Sequence, residues 1–167
     1  IDTRSAGRFG EGHFPESLNI GLDSPMFSTW VGFLVPGGTP IAFVAEGSKD
    51  AAKAKLELAR IGFDNIVGYL KPESIAEMAI LPQLSVCDLR SYLDEKNPPL
   101  VIDVRTPNEW TNTHIASAKS IPLSELPKRL AEIPKEQPVA VICGSGYRSS
   151  IAASLLQAHG VSQLQNV

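Results

Sequence analysis

The feature that most constrains the fold is an internal repeat, because a pattern near the start of the chain returns in its second half. Five residues keep a nearly fixed spacing between the two copies. The spacing is 101 for Asp2–Asp103, Arg4–Arg105 and His13–His114, and 98 for Leu58–Leu156 and Gly62–Gly160. The change in spacing from 101 to 98 indicates a three-residue insertion or deletion between His13 and Leu58 in one copy relative to the other. A repeat of this kind predicts two similar structural units in one chain.

Short apolar runs alternate with helical segments in both copies. The predicted strands are 40–44, a strand that begins at 66, 100–104 and 138–142, and the predicted helices are 48–61 and 147–159, each followed by a glycine. Ser48 is the expected N-cap of the first helix, and Ser85 caps an extra helix ahead of the strand 100–104. Continuous apolar strands separated by helices are typical of a buried parallel sheet. We therefore predict an α/β class with two modules, each a small parallel sheet flanked by helices.

The repeat also predicts the domain boundaries. We expect domains 1–80 and 81–167, joined by a tether over 71–83 with one or two helical turns around 74–78. The first copy begins at its strand, and the second stops where the first continues. We therefore expect the first domain to be truncated N-terminally and the second C-terminally, as in a fragment of a longer protein.

Composition argues against several classes of function. The net charge is -3 and no basic block is present, which argues against nucleic acid as a partner. No apolar run is long enough to span a membrane, and no stretch is typical of a signal peptide, so a cytoplasmic location is expected. The two cysteines, Cys87 and Cys143, make neither a disulfide framework nor a zinc motif. We expect no cofactor and no metal within this chain.

A loop with two glycines follows the strand 138–142. It consists of Cys143, Gly144, Ser145, Gly146, Tyr147, Arg148 and Ser149. The two glycines permit positive φ and let successive N–H groups curl into an anion-binding nest. The helix that follows directs its positive end at the same place, and Arg148 adds a full charge. Because all three favour the thiolate, we expect a nucleophilic Cys143 and a loop, 144–149, that binds an anionic substrate.

These segments, in this order, resemble the rhodanese family over nearly the whole chain. The family pattern is an Asp-x-Arg strand end (103–105), a His-Ile-x-x-Ala type segment (114–118), a Cys-x-x-x-x-Arg loop (143–148) and a glycine before a short strand (160–164). The resemblance implies a sulfurtransferase. Cys143 would take sulfane sulfur from a small anionic donor such as thiosulfate or a persulfide, and pass it to a thiol or a cyanide-like acceptor. Asp103 and Arg105 are candidates for a supporting role.

The first copy departs from this pattern at its loop. The spacing of 98 aligns Ala45 with Cys143 and Asp50 with Arg148. Without a nucleophile, the first module is predicted to be catalytically inactive. An inactive module followed by an active one resembles the C-terminal region of metallo-β-lactamase–rhodanese fusion proteins. That resemblance implies an N-terminal, iron-dependent persulfide dioxygenase domain outside this chain.

Two other functions stay open at this point. A phosphatase or an arsenate-reductase-like enzyme could use the same cysteine, although related phosphatases place one more residue between Cys and Arg. The loop could also be a non-catalytic module that binds another protein.

Overall fold

The computed structural model describes residues 1–167 and divides into two compact units, Ile1–Ile80 and Leu81–Val167. The first unit contains the helices α1 (Ala6–Glu11), α2 (Phe27–Leu34) and α3 (Ser48–Ala59), the strands β1 (Ile41–Val44) and β2 (Ile66–Leu70), and a 3₁₀ turn at Pro72–Ser74. The second unit contains α4 (Val86–Leu93), β3 (Leu100–Asp103), α5 (Pro107–Asn112), β4 (Lys119–Ser120), α6 (Leu126–Arg129), a 3₁₀ turn at Leu130–Glu132, β5 (Val139–Ile142), α7 (Tyr147–Ala158) and β6 (Leu164–Asn166).

The second unit is built on a parallel sheet of four strands in the order β4-β3-β5-β6. Residues 139–141 of the inner strand β5 are fully buried. Residues 149–153 of α7 are fully buried as well. Such complete burial explains why β5 has an uninterrupted apolar sequence. The predicted α/β class is confirmed.

The first unit repeats this strand order in a reduced form. Only β1 and β2 form a regular parallel pair. Asp2 extends that arrangement through single parallel bridges to Val44 on one side and to Asn19 on the other. The two positions equivalent to β3 and β4 are therefore present as isolated bridges.

Local signals placed most helix ends correctly. The Ser85 hydroxyl accepts a hydrogen bond from the Asp88 N–H at 3.1 Å, as predicted. Gly62 and Gly160, the glycines predicted to end helices, have φ of 83° and 93°. Two predictions were wrong. Gly47, not Ser48, is the N-cap of α3. The helical turn of the tether is Pro72–Ser74, not 74–78, since proline favours the first position of a helical turn.

The segment predicted as a tether, 71–83, is mostly exposed, but Ile75 and Leu81 are buried. The backbone of Ala79 exchanges two hydrogen bonds of 2.9 Å with that of His13 within the first unit. None of the helices combines the length and the apolar character needed to cross a bilayer.

Candidate active site around Cys143

Cys143 lies at the carboxyl end of β5, immediately after the buried Val139–Ile142. The side chain is partly buried, and the thiol is free. Gly144 and Ser145 are exposed, whereas Tyr147 and Arg148 in the first turn of α7 are partly buried. The strand β5 on one side and α7 on the other hold this loop, so the nucleophile lies in a short connection between two regular elements.

The loop backbone turns inward at Gly146. This residue is the N-cap of α7 and has φ of 78°, in the left-handed region that glycine adopts without strain. The turn allows the N–H groups of Ser145, Gly146 and Ser149 to hydrogen-bond the Cys143 sulfur. Of the two glycines predicted to shape a nest, only Gly146 has positive φ, and the three N–H groups converge on the sulfur of Cys143 itself.

The ionisation of Cys143 reflects two opposing effects. Burial raises the pKa of the Cys143 thiol, but hydrogen bonds from the Ser149 hydroxyl and the three backbone N–H groups outweigh it. The net effect is a pKa below the ordinary thiol value. Donors that converge on sulfur favour the charged form, as the sequence predicted, and make the thiolate available as a nucleophile.

Ser149 connects the nucleophile to the end of the last strand. Its Oγ lies 3.3 Å from Cys143 Sγ and donates to the Val167 carbonyl at 3.0 Å. A hydroxyl has a single proton to donate. When it donates to Val167 it can accept from the thiol, and when Cys143 ionises it can rotate and donate to the thiolate.

Replacing Ser149 with alanine is expected to raise the pKa of Cys143, since one of the donors that stabilise the thiolate is lost. The alkylation rate of Cys143 by iodoacetamide, followed against pH in a Cys87→Ser background, should then rise at a higher pH than in the parent. Ala51 occupies the aligned position in the first unit and shows that this helix site accepts alanine. A pH profile identical to that of the parent would contradict the role given to Ser149.

The guanidinium of Arg148 forms an ion pair with the carboxylate of Glu109. Its Nη1 and Nη2 donate to Glu109 Oε2 and Oε1, each at 2.7 Å. The hydrogen bonds from Arg148 hold the pKa of the Glu109 carboxyl far below its usual range. Since this pair neutralises much of the Arg148 charge, the Cys143 thiolate is stabilised mainly by the hydrogen bonds to its sulfur.

Sequence reasoning missed Glu109, although a signal was present. Residues 106–109 read Thr-Pro-Asn-Glu, which is a capping box at the start of α5. Thr106 donates to Glu109 Oε2 through its N–H at 3.0 Å and through its hydroxyl at 2.7 Å. The capping box therefore fixes the carboxylate that pairs with Arg148.

Asp103 and Arg105 tie the end of β3 to the residues after α5. Arg105 donates to both carboxylate oxygens of Asp103 and, through Nη2, to the Thr113 carbonyl at 2.8 Å. In the first unit Arg4 makes the same contacts, to Asp2 and to the Gly12 carbonyl. An arrangement present in both units supports a structural role for these pairs.

The two histidines also have matching surroundings. Nδ1 of His114 lies 2.9 Å from the Trp110 carbonyl, and the two rings stack at 3.9 Å. Nδ1 of His13 lies 2.9 Å from the Phe9 carbonyl, with a stack at 3.6 Å. Neither arrangement depends on the cysteine loop.

The first unit has a small cavity at the position of its own loop. The cavity has a volume of about 170 Å³, and its lining includes Arg8, Glu46 and Asp50. Ala45, the aligned counterpart of Cys143, is fully buried. Because Arg8 aligns with Glu109 and Asp50 with Arg148, the two charges are reversed relative to the second unit.

The remaining candidate groups form no second centre. Cys87 lies exposed on α4. No group of three or more histidine, cysteine, aspartate or glutamate side chains is arranged to hold a metal ion.

Comparison with known proteins agrees with this architecture. The Rhodanese-like domain matches residues 1–72 and 85–167. Among curated relatives, a protein named Sulfurtransferase from Allochromatium vinosum is 34% identical over 79 residues, which cover 47% of this chain and 74% of that protein. The uncharacterized protein YqhL from Bacillus subtilis is 42% identical over 67 residues, covering 40% of this chain and 53% of that protein. The chain spans about half the length of YqhL and, at 47%, of the putative sulfur carrier protein YrkF.

A solved structure shows the same fold. The rhodanese-like domain protein from Staphylococcus aureus is 30% identical, with a TM-score of 0.50 over 52% of this chain and 84% of that one. That match covers about half of this chain, whereas the family match covers both units. The chain belongs to the rhodanese-like family and contains two such domains.

Proposed function

We propose that the second unit is a sulfurtransferase that carries sulfur as a persulfide on Cys143. The observation that carries this proposal is the set of hydrogen bonds that converge on Cys143 Sγ from Ser145, Gly146 and Ser149. The names of relatives, including the thiosulfate sulfurtransferase PspE of Escherichia coli, support the same class of reaction.

The reaction has two half-steps. The Cys143 thiolate attacks the sulfane sulfur of an anionic donor, thiosulfate or a persulfide, and the rest of the donor leaves with the electron pair of the broken bond. A thiol or a cyanide-like acceptor then removes the outer sulfur and regenerates the thiolate. The N–H groups around Cys143 stabilise negative charge at sulfur in both steps.

The first unit has no catalytic role in this scheme, because alanine stands at its nucleophile position. Sulfur is carried covalently, so the chain requires no cofactor of its own.

We further propose that this pair of modules works beside an iron-dependent persulfide dioxygenase domain, whose iron would be bound by residues outside 1–167. We place this reaction in the cytoplasm, where reducing conditions would keep the two free cysteines as thiols.

Intact mass spectrometry under non-reducing conditions tests the first half-step. After incubation with thiosulfate or an organic persulfide, the chain should gain one sulfur atom, and peptide mapping should locate it on Cys143. An aryl phosphate should not be hydrolysed. Phosphate release without sulfur loading would identify a phosphatase, and no loading from either donor would favour a protein-binding module.

A further inference from the structure

The cysteine loop offers no unpaired cation to a substrate. Arg148 is the sole charged side chain among residues 143–149, and both of its terminal nitrogens donate to Glu109 at 2.7 Å. The carboxylate of Glu109 is in turn held by two donors from Thr106. Because four hydrogen bonds fix this carboxylate, its position beside the loop is defined by the fold.

Arg105, the other cation near the loop, is paired as well. Arg105 is bound to Asp103 and to the carbonyl of Thr113. Glu109 and Arg148 both act electrostatically on Arg105 and so lie close to it. The two arginines and the two carboxylates carry no net charge together. The groups left to stabilise an anion are the backbone N–H groups and Ser149, which already serve the thiolate.

Candidate donors differ in the charge that they bring to this site. When thiosulfate reacts with a thiolate, three negative charges meet in one transition state. When an organic hydropersulfide reacts in its protonated form, whose outer sulfur is the electrophile, the total is one negative charge, and even the ionised persulfide would bring the total only to two. Like charges at short range repel strongly where water is partly excluded, and an unpaired cation would be needed to offset the additional charge.

We propose that Glu109 is a specificity-determining residue that selects organic hydropersulfides over thiosulfate as the sulfur donor. By neutralising Arg148, it removes the charge that a dianion would need, and it places its own carboxylate beside the loop. This inference rests on the proposed function and specifies the donor of its first half-step.

The preferred step balances without any further reactant. The Cys143 thiolate attacks the outer sulfur of R–S–SH, so a Cys143–sulfur bond forms as the sulfur–sulfur bond of the donor breaks. The leaving group R–S⁻ takes the bonding pair and acquires a proton from water. The hydrogen on the outer sulfur stays with it, and the product is Cys143–S–SH.

The experiment measures the rate constant for loading Cys143 by time-resolved intact mass in a Cys87→Ser background. The donors are thiosulfate and the hydropersulfide of 2-mercaptoethanol, which has no other ionisable group. Glu109→Gln removes the charge but keeps a residue that serves in a capping box. Glu132→Gln is the matched control, because it removes the same charge from an exposed ion pair with Arg129 and Lys119 in the same unit.

We expect the parent to load from the hydropersulfide at least about tenfold faster than from thiosulfate, and Glu109→Gln to shift that ratio about tenfold toward thiosulfate. Glu132→Gln should leave the ratio unchanged. A Glu109→Gln ratio equal to that of the parent would show that Glu109 is only structural and would overturn the proposal, as would a parent that prefers thiosulfate. Loading from neither donor would instead contradict the sulfurtransferase function itself.

Discussion

Replacing Cys143 with alanine is expected to abolish sulfur transfer while the fold is retained. The reaction needs a nucleophile that bonds to sulfur, and no other thiol lies in the loop: Cys87 is exposed on α4. Alanine is tolerated at this strand end because the first unit has Ala45, fully buried, at the aligned position. The variant should therefore lose activity through chemistry and not through unfolding.

The measurements are steady-state transfer to a thiol acceptor, intact mass after donor treatment, and circular dichroism against temperature. Cys87→Ala is the matched control, and it should keep both the activity and the added sulfur atom. Residual loading of the Cys143→Ala variant at the rate of the parent would refute the assignment of the nucleophile. Equal loss of activity in both variants would refute it as well, since it would show that the two thiols act together.

Replacing Asp2 with alanine is expected to destabilise the first unit by about 3–5 kcal/mol, the usual cost of leaving one partner of a buried ion pair alone. The Asp2 and Arg4 side chains are 0% and 6% exposed, so the guanidinium would stay buried and keep the Gly12 carbonyl as its hydrogen-bond acceptor. The aligned substitution, Asp103→Ala, should cost the second unit less. There the arginine partner, Arg105, is 17% exposed and can be hydrated.

Fluorescence can follow each unit separately during urea unfolding. Trp30 lies in the first unit and Trp110 in the second. A Trp110→Phe background therefore reports the first unit, and Phe9 shows that phenylalanine can stack on the histidine at this position. A Trp30→Phe background reports the second unit. A loss below about 1 kcal/mol for Asp2→Ala would mean that water reaches Arg4 as easily as it reaches a surface ion pair.

Sequence patterns predicted the fold well because the repeat and the buried strands are local or periodic signals. The loop from Cys143 to Ser149 could also be predicted from the sequence, since glycines and an arginine next to a cysteine have few structural uses. Residues 106–109 show the limit. Their capping box is readable in the sequence, but the pairing of Glu109 with Arg148 joins residues 39 positions apart and depends on how α5 and α7 pack.

Other features needed the three-dimensional structure for similar reasons. The contact of Ser149 with the Val167 carbonyl depends on β6 lying beside β5. In the first unit, Asp2 and Asn19, which align with residues of β3 and β4, form only single bridges. A strand of one or two residues has no periodicity for a sequence pattern to reveal.

The left-handed turn at Gly146 marks a difference in backbone conformation between the two units. Its aligned residue in the first unit is Ser48, and no residue from 45 to 50 has positive φ. Restoring a cysteine at Ala45 alone would therefore yield a thiol without the backbone nest that ionises it. The path back to activity would also require a glycine at 48 and a reversal of the charges at 8 and 50. The predicted inactivity of the first unit thus depends on several independent differences from the second unit, and Ala45→Cys alone is not expected to confer activity.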